Sequence, residues 1–162
     1  RRTLIAALVP PGVTLTEKAP YLYGENSTAF STALLLGILC SIPVDWIARR
    51  TVELKLSFGI ISSLPIPDYS AGDSIARQIA IDSARLAAVD DRYADWAREV
   101  GVEVGSVQSD DEKQDIIHRI DALVAHLYGL DEEDLQVIFE TFHVGWDYEP
   151  RLNAVLSHFR SL

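Results

Sequence analysis

Three groups of side chains in this sequence have the types and spacing to do chemistry. The first is Asp45 with Glu53-Leu54-Lys55. Two carboxylates and a lysine at such a spacing can hold Mg²⁺ and position an attacking water, the chemistry of metal-dependent phosphodiester cleavage. Asp45, however, falls on a helical pattern, and Pro43 is not adjacent to it, so a helix-surface charge beside strand-edge charges is the competing reading. The second group is cationic and amide: Lys18, Asn26, Arg49, Arg50 and Lys55, with Arg1, Arg2, Tyr21 and Tyr23 nearby in the chain. Arginine reads guanine edges, asparagine reads adenine, and lysine and arginine neutralise phosphates. The third is the four histidines, His118, His126, His143 and His158. They have neither i,i+3 or i,i+4 pairing nor cysteine partners, so they read as helix-surface residues rather than zinc ligands.

The elements that must position these groups divide at residues 54–67, LKLSFGIISSLPIP. Leu54, Leu56 and Phe58 alternate with Lys55, Ser57 and Gly59, which predicts a half-buried strand. Pro65 and Pro67 then remove two backbone donors and force extended geometry, so the chain must turn. Before this point the run at 4–9, LIAALV, closed by Pro10-Pro11-Gly12, predicts a buried strand and a turn, with weaker strand signals at Val13, Leu15 and 21–23. A buried helix is expected from Ser27 through Cys40, restarting at Pro43 and continuing to Arg50. After it, residues 74–100 predict one long amphipathic helix stopped by Gly101. Ser109-x-x-Glu112 opens a second, Asp131 caps a third, and Pro150 stands near the start of a fourth. The expected class is α+β: short N-terminal strands around a buried helix (1–67), followed by a mainly α-helical part (68–162).

Charge follows the same division. Residues 1–67 carry 6 Lys/Arg against 4 Asp/Glu, and residues 68–162 carry 8 against 20, so balances of +2 and −12 make up the net −10. Only the first part is suited to phosphate; the second is an acidic support. The run without charge from 26 to 44 is broken by hydroxyls and Pro43, and its mainly apolar part is shorter than the roughly 20 residues a bilayer needs, so no membrane is expected. Cys40 is the only cysteine, which fits a reducing, cytoplasmic setting. The chain has no methionine and opens Arg1-Arg2-Thr3, so it is expected to be part of a longer polypeptide.

Three segments in order carry a family resemblance: LIAALVPPG (4–12), ALLLGILCSIPVDWIARR continuing through LKLSFGIISSLPIP (33–67), and IDALVAHLYGLDEEDLQVIFETFH (120–143). Together they resemble the C-terminal region of type IIG-like restriction-modification and phage-defence adenine methyltransferases. In that family a catalytic domain comes first, and a target-recognition domain then leaves through Leu-Pro-x-Pro into helices. The resemblance implies a non-catalytic, DNA-recognising C-terminal part, with double-stranded DNA and the remainder of the parent polypeptide or a partner subunit as partners. S-adenosylmethionine is expected for the parent enzyme and no cofactor for this part. Val9-Pro10-Pro11-Gly12 departs from the family's Asn/Asp-Pro-Pro-aromatic loop, because valine cannot hydrogen-bond the target amine and glycine cannot stack on the base. No Gly-rich cofactor loop replaces it. The competing class is a protein-docking module of a defence complex that never touches DNA; a metal-dependent nuclease comes third.

Overall fold

The computed structural model describes residues 2–16, 19, 21–52, 57–69, 72–142 and 147–162. Their regular structure is helical: α1 (Ala29–Cys40), α2 (Ile42–Thr51), α3 (Phe58–Ser63), α4 (Ser74–Ala87), α5 (Ala94–Val100), α6 (Asp110–Leu127), α7 (Glu132–Glu140) and α8 (Glu149–Ser161). No strand occurs among the described residues, and this corrects the α+β expectation. The physical reason is that a strand is a property of pairs. Residues 4–9 form no regular element, and no backbone–backbone hydrogen bond joins residues 2–15 to the rest of the described chain. Residues 13–15 and 21–23 also lack a ladder. The expected strand at 54–58 falls at 54–56 outside the described residues. At its other end Ser57 accepts the Ile60 N–H and starts α3 at Phe58.

α1 is apolar on nearly every side, and none of its residues is exposed. Thr28, not Ser27, caps it, in a reciprocal pair with Ser31. Gly37 sets its closest approach to α4: a Cβ there would lie 2.6 Å from Ile79 Cγ2 and 3.0 Å from Ser83 Oγ. Ser83 in turn donates to the Ala33 carbonyl, so a buried hydroxyl crosses the α1–α4 seam with its hydrogen bond made. At Ser41 the chain breaks by 65° and restarts as α2, with Pro43 in the first turn, where its missing N–H has no helical partner to lose. No single helix among the described residues is long and apolar enough to cross a membrane.

The long helix expected over 74–100 is two. α4 ends at Ala87, and Asp90 then caps a short 3₁₀ turn by accepting the Arg92 N–H before α5 starts. Gly101, at φ 89°, closes α5 in the left-handed conformation that glycine adopts without steric cost. Ser109 caps α6 as its spacing predicts, although Glu112 turns back to the Gln108 N–H and to Arg85 rather than to Ser109. Asp131 and Asp134 cap α7 reciprocally.

α6 lies between two cores. Its Ile116, Ile120, Leu123 and Val124 join Leu34, Ile38, Val44, Ile79 and Leu4. Its Ala122 and Ala125 meet Ile42, Leu135, Phe139, Leu152 and Val155 from α2, α7 and α8. Residues on both sides of Pro67 therefore share one apolar core.

Candidate nucleic-acid interface

Arg49 and Arg50 lie in the last turn of α2, and both are exposed. The Arg50 guanidinium lies 4.8 Å from the centre of the Trp46 ring, one turn back on the same helix. That of Arg49 lies 4.9 Å from the centre of Phe142, just beyond α7. An aromatic face attracts a cation and fixes its plane without consuming its hydrogen-bond donors.

Most other arginines are spent on carboxylates. Arg2, Arg85, Arg92, Arg98, Arg119, Arg151 and Arg160 each lie within ion-pair distance of an Asp or Glu. Among the described residues no carboxylate pairs with Arg49 or Arg50; Arg77 on α4 and Lys113 on α6 are the other exposed cations of this kind. Arg49 and Arg50 differ from these two in being adjacent and backed by rings.

Of the remaining predicted contacts only Asn26 is described, and it stands apart from Arg49 and Arg50. Asn26 is exposed in the turn before α1, at the opposite end of the bent α1–α2 pair. At 1.5 Å rise per residue and a 65° bend, those ends are on the order of 28 Å apart. Lys18, Lys55, Glu53 and Arg1 lie outside the described residues, as does His143. Tyr21 and Tyr23 are exposed, and Arg2 is occupied elsewhere.

Asp45 is not a solvated charge. It is fully buried in the first turn of α2, and its Oδ1 accepts the N–H groups of Thr3 at 2.8 Å and Leu4 at 2.5 Å. Its Oδ2 faces Arg2 Nε at 3.2 Å, near enough for charge attraction but out of line for a hydrogen bond. This carboxylate holds the chain's leading segment against the helices, a use its spacing to Glu53 and Lys55 gave no sign of. Among the described residues no His, Cys, Asp and Glu gather in a set that could hold a metal ion.

The described histidines are tied to helix packing. His126 Nε2 is 2.9 Å from the Phe159 carbonyl, with its ring stacked on that of Phe159, and His158 Nε2 is 2.8 Å from Asp115 Oδ1. His118 is half-buried, and burial, aided by the neighbouring Arg151 and His158, holds its imidazole below the ordinary value, against the opposing pull of Asp121 and Asp115. The folded state thus favours neutral His118. As pH falls below its unfolded value near 6.5, the unfolded chain takes up the proton first and stability declines. His118→Gln is expected to flatten the loss of stability between about pH 7.5 and 5.5, measured as urea midpoints. An unchanged pH profile would show that His118 is not the group responsible.

Two clefts among the described residues offer no catalytic set. One, beside the start of α6, is lined by residues including Arg85, Gln108, Asp110 and Lys113. The other lies where Tyr128 donates to the Pro65 carbonyl at 2.7 Å, beneath the proline exit. Burial pushes the Tyr128 hydroxyl up to about 12, so it remains a donor throughout the neutral range.

Comparison with protein-family models, curated proteins and solved structures finds no match to this chain.

Proposed function

We propose that this chain is a non-catalytic helical module of a cytoplasmic DNA-modification enzyme of the adenine methyltransferase kind, contacting the backbone of double-stranded DNA through Arg49 and Arg50. The observation that carries the reading is that these adjacent guanidiniums are exposed, backed by aromatic rings and unpaired with any described carboxylate. In a chain of net charge −10, such a pair is a focused site for phosphate. The acidic residues after 67 neutralise several of the arginines around them, including Arg85, Arg119 and Arg160, which suits that part to support rather than to contact. The resemblance of residues 4–12, 33–67 and 120–143 supplies the enzymatic setting. Catalysis and the S-adenosylmethionine site belong, on this reading, to the remainder of the parent enzyme.

Two phosphate contacts predict a definite salt response. Arg49→Ala/Arg50→Ala is expected to weaken duplex binding and to reduce the slope of log K against log salt by about 1.8, at roughly 0.9 for each phosphate released. An unaltered slope would remove these residues from the interface.

A second reading is favoured by a different observation. Ile5, Leu22, Tyr23 and Phe58 are 79%, 54%, 81% and 56% exposed, all before residue 68. Exposed aromatic and aliphatic groups of this size suit docking onto protein. If docking is the whole function, the double variant leaves assembly with the partner intact and duplex DNA has no effect on it.

A further inference from the structure

The leading segment, residues 2–8, lies against the helices as a bound peptide lies in a groove. The break between α1 and α2 makes the groove. α1 ends at Cys40 with no basic residue in its last turn, so its carbonyl end has neither a charge partner nor a continuing helix. Arg2 fills that role from outside: Nη2 donates to the Cys40 carbonyl at 2.6 Å and to Ser41 at 3.2 Å, while Nε faces Asp45. Asp45 reads the main chain at Thr3 and Leu4, and the Leu4 side chain, 4% exposed, enters the core. Further along, the Cys40 thiol donates to Ala6 O at 3.3 Å and the Tyr93 hydroxyl to Leu8 O at 3.2 Å.

Every one of these polar contacts joins a side chain to a backbone group, a second side chain, or both; none is a backbone ladder. The side chains read are Arg2 and Leu4, with Ala6 packed against the same core, and the backbone is held at Thr3, Leu4, Ala6 and Leu8. This is how a peptide-recognition groove works: main-chain hydrogen bonds fix an extended ligand, and alternate side chains are read in pockets. Past Leu8 the segment is exposed at Val9 and over 11–14, and Gly12 turns it at φ 77°.

We propose that the α1–α2 break, with Asp45, Cys40 and Tyr93, is a recognition groove for an Arg-x-Leu segment. In this chain residues 2–8 fill it in cis, and a free peptide of the same sequence exchanges with them. The groove and its occupant are then a separable receptor and ligand, independent of any contact with DNA.

The test keeps the whole chain. A protease site inserted between Gly12 and Val13, both exposed, is cut after folding, and helicity is checked by circular dichroism. A labelled peptide of residues 2–12 is then added in excess and followed by anisotropy. The expected result is saturable exchange into a chain that stays helical, with peptides carrying Arg2→Ala or Leu4→Ala weaker by about tenfold or more. The proposal is overturned if the cut chain loses its helices, if the original segment never exchanges, or if the Arg2→Ala peptide binds as well as the unaltered one.

Discussion

Arg151→Ala is expected to cost about 3–5 kcal/mol of folding stability, more than any surface substitution in this chain, with a Tm lower by roughly 10 °C. The reason is Asp121, on α6 and 1% exposed. Its Oδ2 takes Arg151 Nη2 at 2.6 Å and Nε at 3.2 Å, and its Oδ1 accepts the Ile42 N–H at 2.8 Å. One carboxylate therefore joins α2, α6 and α8 at the base of the second core. Removing the guanidinium leaves a charge in a low-dielectric site with one neutral donor, and that uncompensated charge, more than the lost attraction, is what destabilises. Asp121→Asn combined with Arg151→Met removes both charges while keeping an acceptor for Ile42, and it should recover more than half of the loss in urea unfolding. A double variant no more stable than Arg151→Ala would show that lost packing of the arginine stem, not the stranded charge, is the cause.

Asp45→Ala is expected to cost about 2–4 kcal/mol, because it strips the acceptor from two backbone N–H groups and leaves Arg2 facing no carboxylate. Asp45→Asn keeps an acceptor oxygen and should cost clearly less. Hydrogen exchange locates the effect: the Thr3 and Leu4 amides should lose protection in Asp45→Ala, while α7 and α8 keep theirs. Equal losses across all helices would mean that Asp45 supports the whole core and not the leading segment in particular.

The helices were legible in the sequence wherever a cap or a breaker fixed their ends. Asp131, Ser109, Gly101 and Pro43 each act locally, through a hydrogen bond or a backbone conformation available to the residue itself. The division of 74–100 was not legible, because residues 87–89 contain no breaker and the new cap, Asp90, is one acidic residue among several. The strands failed for a different reason. LIAALV has the composition of a strand, but whether a strand forms depends on a neighbour, and here side chains from α1, α2 and the 3₁₀ turn supply the hydrogen bonds a ladder would have made.

The candidate site was legible in part. Arg49 and Arg50 stood out by type and by their place in the less acidic half. Their aromatic backing was only half visible: Trp46 lies one helical turn before Arg50, whereas Phe142 reaches Arg49 across the fold. Asp45 was visible as a candidate carboxylate, but its partners, Arg2, Thr3 and Leu4, lie far away in sequence. Asp82 and Asp121 left one readable trace. Asp82 stands on the apolar stripe of α4 between Ile79 and Leu86, where a charge without a partner would be costly, and Arg119 meets it there with two hydrogen bonds of 2.7 Å.

The central claim, that Arg49 and Arg50 make this chain a DNA-contacting module, is tested most directly by fluorescence anisotropy of the chain with a random-sequence duplex at about 50 and 200 mM salt. Binding is expected at the lower salt and should weaken about tenfold at the higher, as two phosphate contacts require. Absence of binding at low salt, or affinity that does not change with salt, would contradict the claim.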